Sequence, residues 1–181
     1  CFEYQKLVSH EDHNGNLLPA IMNLCCEEDW TVAKHWIVAD MGCGTGRISR
    51  LFAPHVGHVY GFDQEEHMLA CARACTSETN VNYSLAEHSQ LPLADEAVDL
   101  VIEGWAFLHT VGSQSNWIFS IDSFLNEADR VLRPGGWLVL IETLGTGSSM
   151  PMPKQRHSQF FTWLEEKRGF EKSCVRTDYK F

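Results

Sequence analysis

Apolar positions along the chain change period several times, and the changes mark out alternating strands and helices. The first apolar stretch, Leu17-Leu18-Pro19-Ala20-Ile21-Met22-Asn23-Leu24, sets Leu17, Ile21 and Leu24 at helical spacing. Asn16 is the candidate cap, and Pro19 falls inside the first turn, where its missing N–H is tolerated. An apolar strand over 36–41 carries Asp40 near its end, and the helix after it shows Ile48, Leu51 and Phe52 on one face before Pro54 stops it. A second strand over 58–62 leads to a helix from Glu65 to Cys75, in which Met68, Cys71, Ala72 and Cys75 recur three and four apart. Glu65 and Glu66 stand at its start, the end that the helix dipole makes favourable for acids.

Val81 to Leu85 reads as a third strand and Val98 to Ile102 as a fourth, ending near Glu103-Gly104. A long helix over 116–132 aligns Ile118, Ile121, Leu125, Ala128, Val131 and Leu132 in one stripe. Arg133-Pro134-Gly135-Gly136 ends it and reads as the turn into a fifth strand, Trp137 to Glu142. Residues 145–153 read as loop, 155–168 as a last helix, and Cys174 to Phe181 as a loosely alternating strand after Gly169. Strands alternating with helices predict an α/β fold: a three-layer α/β/α sandwich around a mostly parallel sheet.

The 181 residues suit a single domain spanning 1–181, and there is no internal repeat. No apolar run approaches the ~20 residues that cross a bilayer, so no membrane association is expected. Cys1 in place of a Met suggests that the sequence begins inside a longer chain. A net charge of −10 argues against an unaided grip on nucleic acid. The basic clusters, Lys154 to His157 and Lys167-Arg168, read as solvated helix faces. Seven cysteines, an odd number with no CxxC pair, predict a reduced, cytoplasmic protein, with Cys25-Cys26 and Cys71-x-x-x-Cys75 as small apolar residues on helices.

The candidate chemistry centres on Asp40-Met-Gly-Cys-Gly-Thr-Gly46, three alternate glycines after the first strand, and on Asp63, which ends the second strand seventeen residues later. Glycines there let a ligand approach the backbone, and an acid at the second strand tip accepts from ribose hydroxyls, so an adenosine-type ligand is expected. The dinucleotide fingerprint GxGxxG would place glycine where Arg47 stands. Asp40 beside a pyrophosphate would repel it, which favours a ligand with an amino group and no phosphates.

With these features the chain resembles the class I S-adenosylmethionine-dependent methyltransferases over about Ile37 to Glu142. The resemblance rests on four ordered blocks: Asp40 to Gly46, Gly61-Phe-Asp63, Leu91-Pro-Leu-Ala-Asp-Glu-Ala-Val-Asp-Leu-Val101, and Arg130-Val-Leu-Arg-Pro-Gly-Gly136. It implies a Rossmann-like fold with S-adenosylmethionine as cofactor. Asp40, Gly42, Cys43, Gly44 and Gly46 would hold its methionine part and Asp63 its ribose. Gln64 and Met68 would border the adenine, Glu87 and His88 would meet its edge, and Glu103 and Gly104 would face the sulfonium. By the same resemblance, residues 1–35 form a helical lid segment, 36–144 the cofactor core, and 145–181 the acceptor side. Family members also end on an antiparallel seventh strand, for which this sequence has no candidate.

Methyl transfer is an in-line displacement on an activated donor, so positioning and water exclusion are the main tasks and a general base is needed only if the acceptor must lose a proton. His109 is the candidate, because a histidine often stands there in small-molecule members of the family and an imidazole titrates near ~6.5. Packing with a structural hydrogen bond is the alternative for His109. Trp105, Phe107 and Tyr4 are candidate acceptor contacts. A small molecule is the expected acceptor, oligomerisation stays open, and no metal is expected, since His10-Glu-Asp-His13 lacks an assured third ligand. A nicotinamide-linked oxidoreductase and a non-catalytic S-adenosylmethionine-binding module are the rival readings.

Overall fold

The computed structural model describes Glu3, Asp12 and residues 14–27, 29–143 and 154–171. Its strands are β1 (Ile37–Met41), β2 (His58–Asp63), β3 (Val81–Leu85), β4 (Val98–Gly104) and β5 (Leu132–Ile141). The described α-helices are α1 (Leu17–Cys26), α2 (Arg47–Phe52), α3 (Glu66–Cys75), α4 (Phe107–Ser113), α5 (Trp117–Val131) and α6 (Gln155–Arg168). The strands form one all-parallel sheet in the order β3-β2-β1-β4-β5. Chain order reverses at β1, so the connections leaving β1 and β4 diverge and open a crevice at the carboxyl ends of these two strands.

Alternation along the strands supplies the two cores. Val38, Val59, Leu100 and Ile102 pack with Leu17, Ile21, Met22, Ile48 and Phe52 of α1 and α2. Ala39, Met41, Phe62 and Val101 pack on the other face with Phe107, Phe124, Leu125, Phe160 and Leu164 of α4, α5 and α6. This is the expected three-layer Rossmann-like arrangement.

Two helix faces differ from the pattern read from sequence. In α1, Leu24 is 51% exposed, while Leu18, Met22, Cys25 and Cys26 join Leu17 and Ile21 inside. In α5, Ile118 is 46% exposed, and Trp117 and Phe124 carry the inner face instead. In both, two adjacent residues share the buried stripe, and a three-and-four count picks one flanking position wrongly. The cap of α1 also differs: the Asn16 side chain makes no capping bond, and the Asp12 carboxylate accepts from the N–H groups of Asn16 (2.8 Å) and Leu17 (2.9 Å).

At the amino end of the sheet two of the sequence blocks become one clamp. The Arg130 guanidinium donates to the carbonyls of Leu91 and Leu93 and to the carboxylates of Asp95 and Glu127, and Glu127 in turn accepts from the Leu91 N–H at 2.6 Å. Arg133 donates to Asp99 at 2.7 Å and to the carbonyls of Glu96 and Ala97, while the other Asp99 oxygen accepts from the Ile37 N–H at 2.7 Å. Asp99 thus fastens the starts of β1 and β4 to the entry of β5. The Arg133 to Gly136 segment carries the strand label, but the β4–β5 register shifts between Val98 and Leu100, and Gly135 has φ +80°.

Cys25, Cys26, Cys43 and Cys75 are free thiols. Tyr4, the His10 and His13 pair, the 145–153 loop and the 174–181 strand lie outside the described residues. Among the described residues no helix is long and apolar enough to cross a membrane.

The clamp yields a stability ranking. Arg130→Ala strands the buried side of Glu127 and two carbonyls and is expected to lower the unfolding free energy by about 2 kcal/mol in urea titration. Arg133→Ala, at a more exposed site, is expected to lower it by less.

Candidate active site at the carboxyl ends of β1 and β4

The chain leaves β1 at Met41 and turns sharply through Gly42, Gly44 and Gly46, whose φ values are +74°, +53° and +79°. Only glycine takes three such angles without strain. The N–H groups of Gly42 and Cys43 both donate to the Phe62 carbonyl (2.8 and 2.9 Å), which binds the turn to the tip of β2. Asp63 completes the junction: one oxygen accepts from the Gly44 N–H at 2.8 Å and the other from the Glu65 N–H at 2.9 Å, just before α3. Anchoring the start of α3 leaves Asp63 able to hold a ligand as well, because each carboxylate oxygen keeps a second acceptor position.

A Cβ built on Gly42 would stand 3.2 Å from both the Ala106 Cβ and the His88 Nε2, and one on Gly44 would stand 3.6 Å from the Met68 Cε. The turn therefore brings Met68, His88 and Ala106 around one concave strip of backbone. Burial pushes the His88 imidazole down, against an upward pull from Asp63, so the ring is neutral near pH 7. His88 also stands edge-on to Phe124, with ring centroids 5.6 Å apart. Gln64 and Glu87 are exposed at the rim.

Three of the expected ligand residues, Asp40, Cys43 and Gly46, are buried inside the protein. Asp40 is 1% exposed and accepts from the Ser49 hydroxyl at 2.5 Å, facing α2; burial raises its carboxyl to about 6. Cys43 is buried, and desolvation together with Asp40 and Asp63 pushes its thiol far up, which keeps it protonated and inert. At Gly46 a Cβ would collide with the Tyr83 hydroxyl, and at Gly61 it would come within 2.5 Å of the Tyr83 ring. Tyr83, anchored to the Thr76 hydroxyl at 3.0 Å, thus explains both glycines by packing. The sequence held no signal for it beyond an aromatic in a weak strand.

The tips of β4 and β5 form the other wall. Trp105 has φ +63°, donates its N–H to the Ile141 carbonyl at 2.8 Å, and holds the Thr143 hydroxyl through its indole nitrogen at 3.1 Å. The Arg47 guanidinium lies 3.9 Å above the indole face, so the residue that replaces the fingerprint glycine closes against the strand-four tip. Strain in a bulky residue at such a site is a common companion of function.

Glu103, fully buried, turns one oxygen onto the N–H groups of Ala106 and Phe107, and Glu142 accepts from the Leu108 N–H at 2.7 Å. The other Glu103 oxygen is buried with no partner among the described residues. Desolvation and the neighbouring Glu142 push the Glu103 carboxyl well up, and burial lifts Glu142 to about 7. Glu142 was not expected from sequence as anything but a strand end. Gly104 lies beside them, its position 3.4 Å from Ile48 if given a Cβ. His109, the expected acid/base, is exposed on α4, where its carbonyl accepts from the Ser113 hydroxyl at 2.8 Å. Phe107, expected at an acceptor wall, is instead a core residue, 2% exposed and edge-on to Phe124 at 4.2 Å.

Carboxyls raised in the fold bind protons that the unfolded chain has released, so their contribution to stability is present in full below about pH 4.5 and is lost as pH rises through the folded values. Stability is accordingly expected to fall from pH 5 to pH 8 by at least ~1 kcal/mol, and Glu142→Gln is expected to flatten that slope, as read from denaturant midpoints at each pH.

Residues 39–140 match the family model described as "Methyltransferase domain". Demethylmenaquinone methyltransferase from Staphylococcus aureus (strain JH9) is 30% identical over 142 residues, covering 76% of this chain and 54% of the relative. The chain thus spans about half the length of the curated relatives it matches. An S-adenosylmethionine dependent methyltransferase from Mesorhizobium loti superposes with a TM-score of 0.51 at 29% identity, over 60% of this chain and 47% of its own. A SAM dependent methyltransferase from Aquifex aeolicus shares the fold, with a TM-score of 0.59 at 23% identity over 77% of this chain and 75% of its own. With the matched segment running from the middle of β1 almost to the end of β5, this chain belongs to the methyltransferase-domain family.

Proposed function

We propose that this chain binds S-adenosylmethionine at the carboxyl ends of β1 and β4 and transfers its methyl group to a small-molecule acceptor. The observation that carries the reading is the Asp63 junction: a carboxylate with spare acceptor positions, set beside a glycine turn whose Gly42 and Gly44 are closely approached by His88, Ala106 and Met68. Asp63 gives the turn an acidic lining, with Asp40 and Glu103 buried behind it. Such a lining suits hydroxyls, an amino group and a sulfonium, and it opposes a pyrophosphate, which disfavours a nicotinamide dinucleotide.

When bound, the cofactor supplies a methyl group already activated by a positive sulfur. The residues of the chain hold and screen. Asp63 would accept from the ribose hydroxyls, Met68 and Gln64 would border the adenine, and His88 with Glu87 would stand at its edge. The Met68 thioether offers a soft apolar surface for a ring. The Arg47–Trp105 stack shields the methionine end from water, with Trp105 turned toward the acceptor side. Residues 36–144 would make the cofactor core, with 1–35 as a lid segment and 145–181 as the acceptor side of one domain.

A small molecule is favoured as acceptor by the net charge of −10, and by the relationship to a demethylmenaquinone methyltransferase. His109, exposed on α4 just past β4, would serve as the base for an acceptor that must lose a proton.

Calorimetry tests the cofactor reading: S-adenosylmethionine should bind and NAD should not, and a methylated product in an extract screened with labelled cofactor separates an enzyme from a non-catalytic module. Asp63→Ala is expected to weaken S-adenosylmethionine binding by about 1.5–3 kcal/mol, as for a lost charge-assisted hydrogen bond. Unchanged affinity in that variant would remove Asp63 from the ligand set.

A further inference from the structure

We infer that Tyr83, on β3, is a positioning residue for the cofactor: it braces the exit of the glycine turn and so fixes the backbone against which S-adenosylmethionine would bind. The inference deepens the cofactor reading above and rests on it. Tyr83 stands opposite Gly61 in the β2–β3 ladder, and its ring lies where Gly61 leaves the face of β2 bare. A Cβ on Gly61 would meet two ring carbons at 2.5 and 2.6 Å. The ring passes through that notch and sets its hydroxyl against Gly46, the residue that caps α2.

The hydroxyl is itself held in place. It shares a hydrogen bond of 3.0 Å with Thr76, just past the end of α3, and another with Ser49 on α2, whose own hydroxyl donates to the buried Asp40 of β1. Arg50 completes the brace by donating to the Thr45 carbonyl at 2.6 Å, inside the turn, with the same Nη1 3.0 Å from the Cβ position of Gly46. One phenol thereby ties β2, α2 and α3 together and, through Ser49, reaches β1.

Glycines in the left-handed region have many other conformations open to them, so the turn needs fixing from outside. Asp63 fixes its middle at Gly44, and Tyr83 fixes its exit at Gly46. A ligand that meets a turn held at both points has little ordering left to do on binding. Removing the ring opens space beside Gly46 and Gly61 and transfers that ordering to the binding step. A packing role alone would lower stability and leave the affinity of the folded molecules as it was.

The test uses the whole chain and needs no acceptor. Binding of S-adenosylmethionine is measured by calorimetry well below the unfolding midpoint of each variant, with stability followed separately in urea. Tyr83→Ala is expected to weaken binding on the order of tenfold, and Tyr83→Phe, which keeps the ring in the notch, to return it to within about threefold of the unmodified chain. Gly61→Ala pushes a methyl group into the ring and should weaken binding by itself, yet add little on top of Tyr83→Ala, because both act through the same contact. Full affinity in a destabilised Tyr83→Ala variant overturns the inference. Should that variant not fold, unchanged affinity in Gly61→Ala overturns it instead. Absence of binding by the unmodified chain overturns the cofactor reading itself, and this inference with it.

Discussion

One carboxylate makes the site geometry possible. Asp63 accepts from the amide of Gly44 on one side and of Glu65 on the other, so a single side chain joins the turn after β1 to the start of α3. Without that bridge the three left-handed glycines would be a floppy connection, since glycine loses more conformational freedom on ordering than any other residue. Because the bridge leaves acceptor positions unused, the same group that rigidifies the turn keeps capacity for a ligand. Structure and binding are therefore hard to separate at this residue by a single substitution.

The two ends of the sheet are held by different physics. At the amino end, Arg130 and Arg133 gather carbonyls and carboxylates from the 91–99 segment and fasten them to α5 and β5. These are partly solvated, charge-assisted bonds whose job is register. At the carboxyl end, acids are buried with sparse partners: Asp40 on Ser49, and Glu103 with an oxygen left over. Groups held at that cost are typical of a site that meets something else.

Much of this was legible in the residues. The strand and helix order, the glycine turn and Asp63 at the β2 tip follow from local patterns, because each depends on neighbours in sequence. What was not legible depends on neighbours in space. The glycine at 46 looked like ligand clearance, but Tyr83, arriving from β3, accounts for it. The Phe107 ring looked like an acceptor wall, yet a helical turn at 107–113 rotates it into the core while exposing His109. Asp12 caps α1 from across a turn, which no adjacent-residue rule would find.

Charge pairing differs from one end of the sheet to the other. Where β4 and β5 begin, Arg130 and Arg133 neutralise the carboxylates of Asp95, Glu127 and Asp99; where β1 and β4 end, Asp40 and Glu103 rest on a hydroxyl and on backbone amides, with the Arg47 guanidinium laid flat on an indole. Parallel strands add no large dipole of their own to oppose this arrangement. Asp40 and Glu142, raised toward neutral, let the crevice end change its charge with pH, while the paired amino end keeps Glu127 ionised.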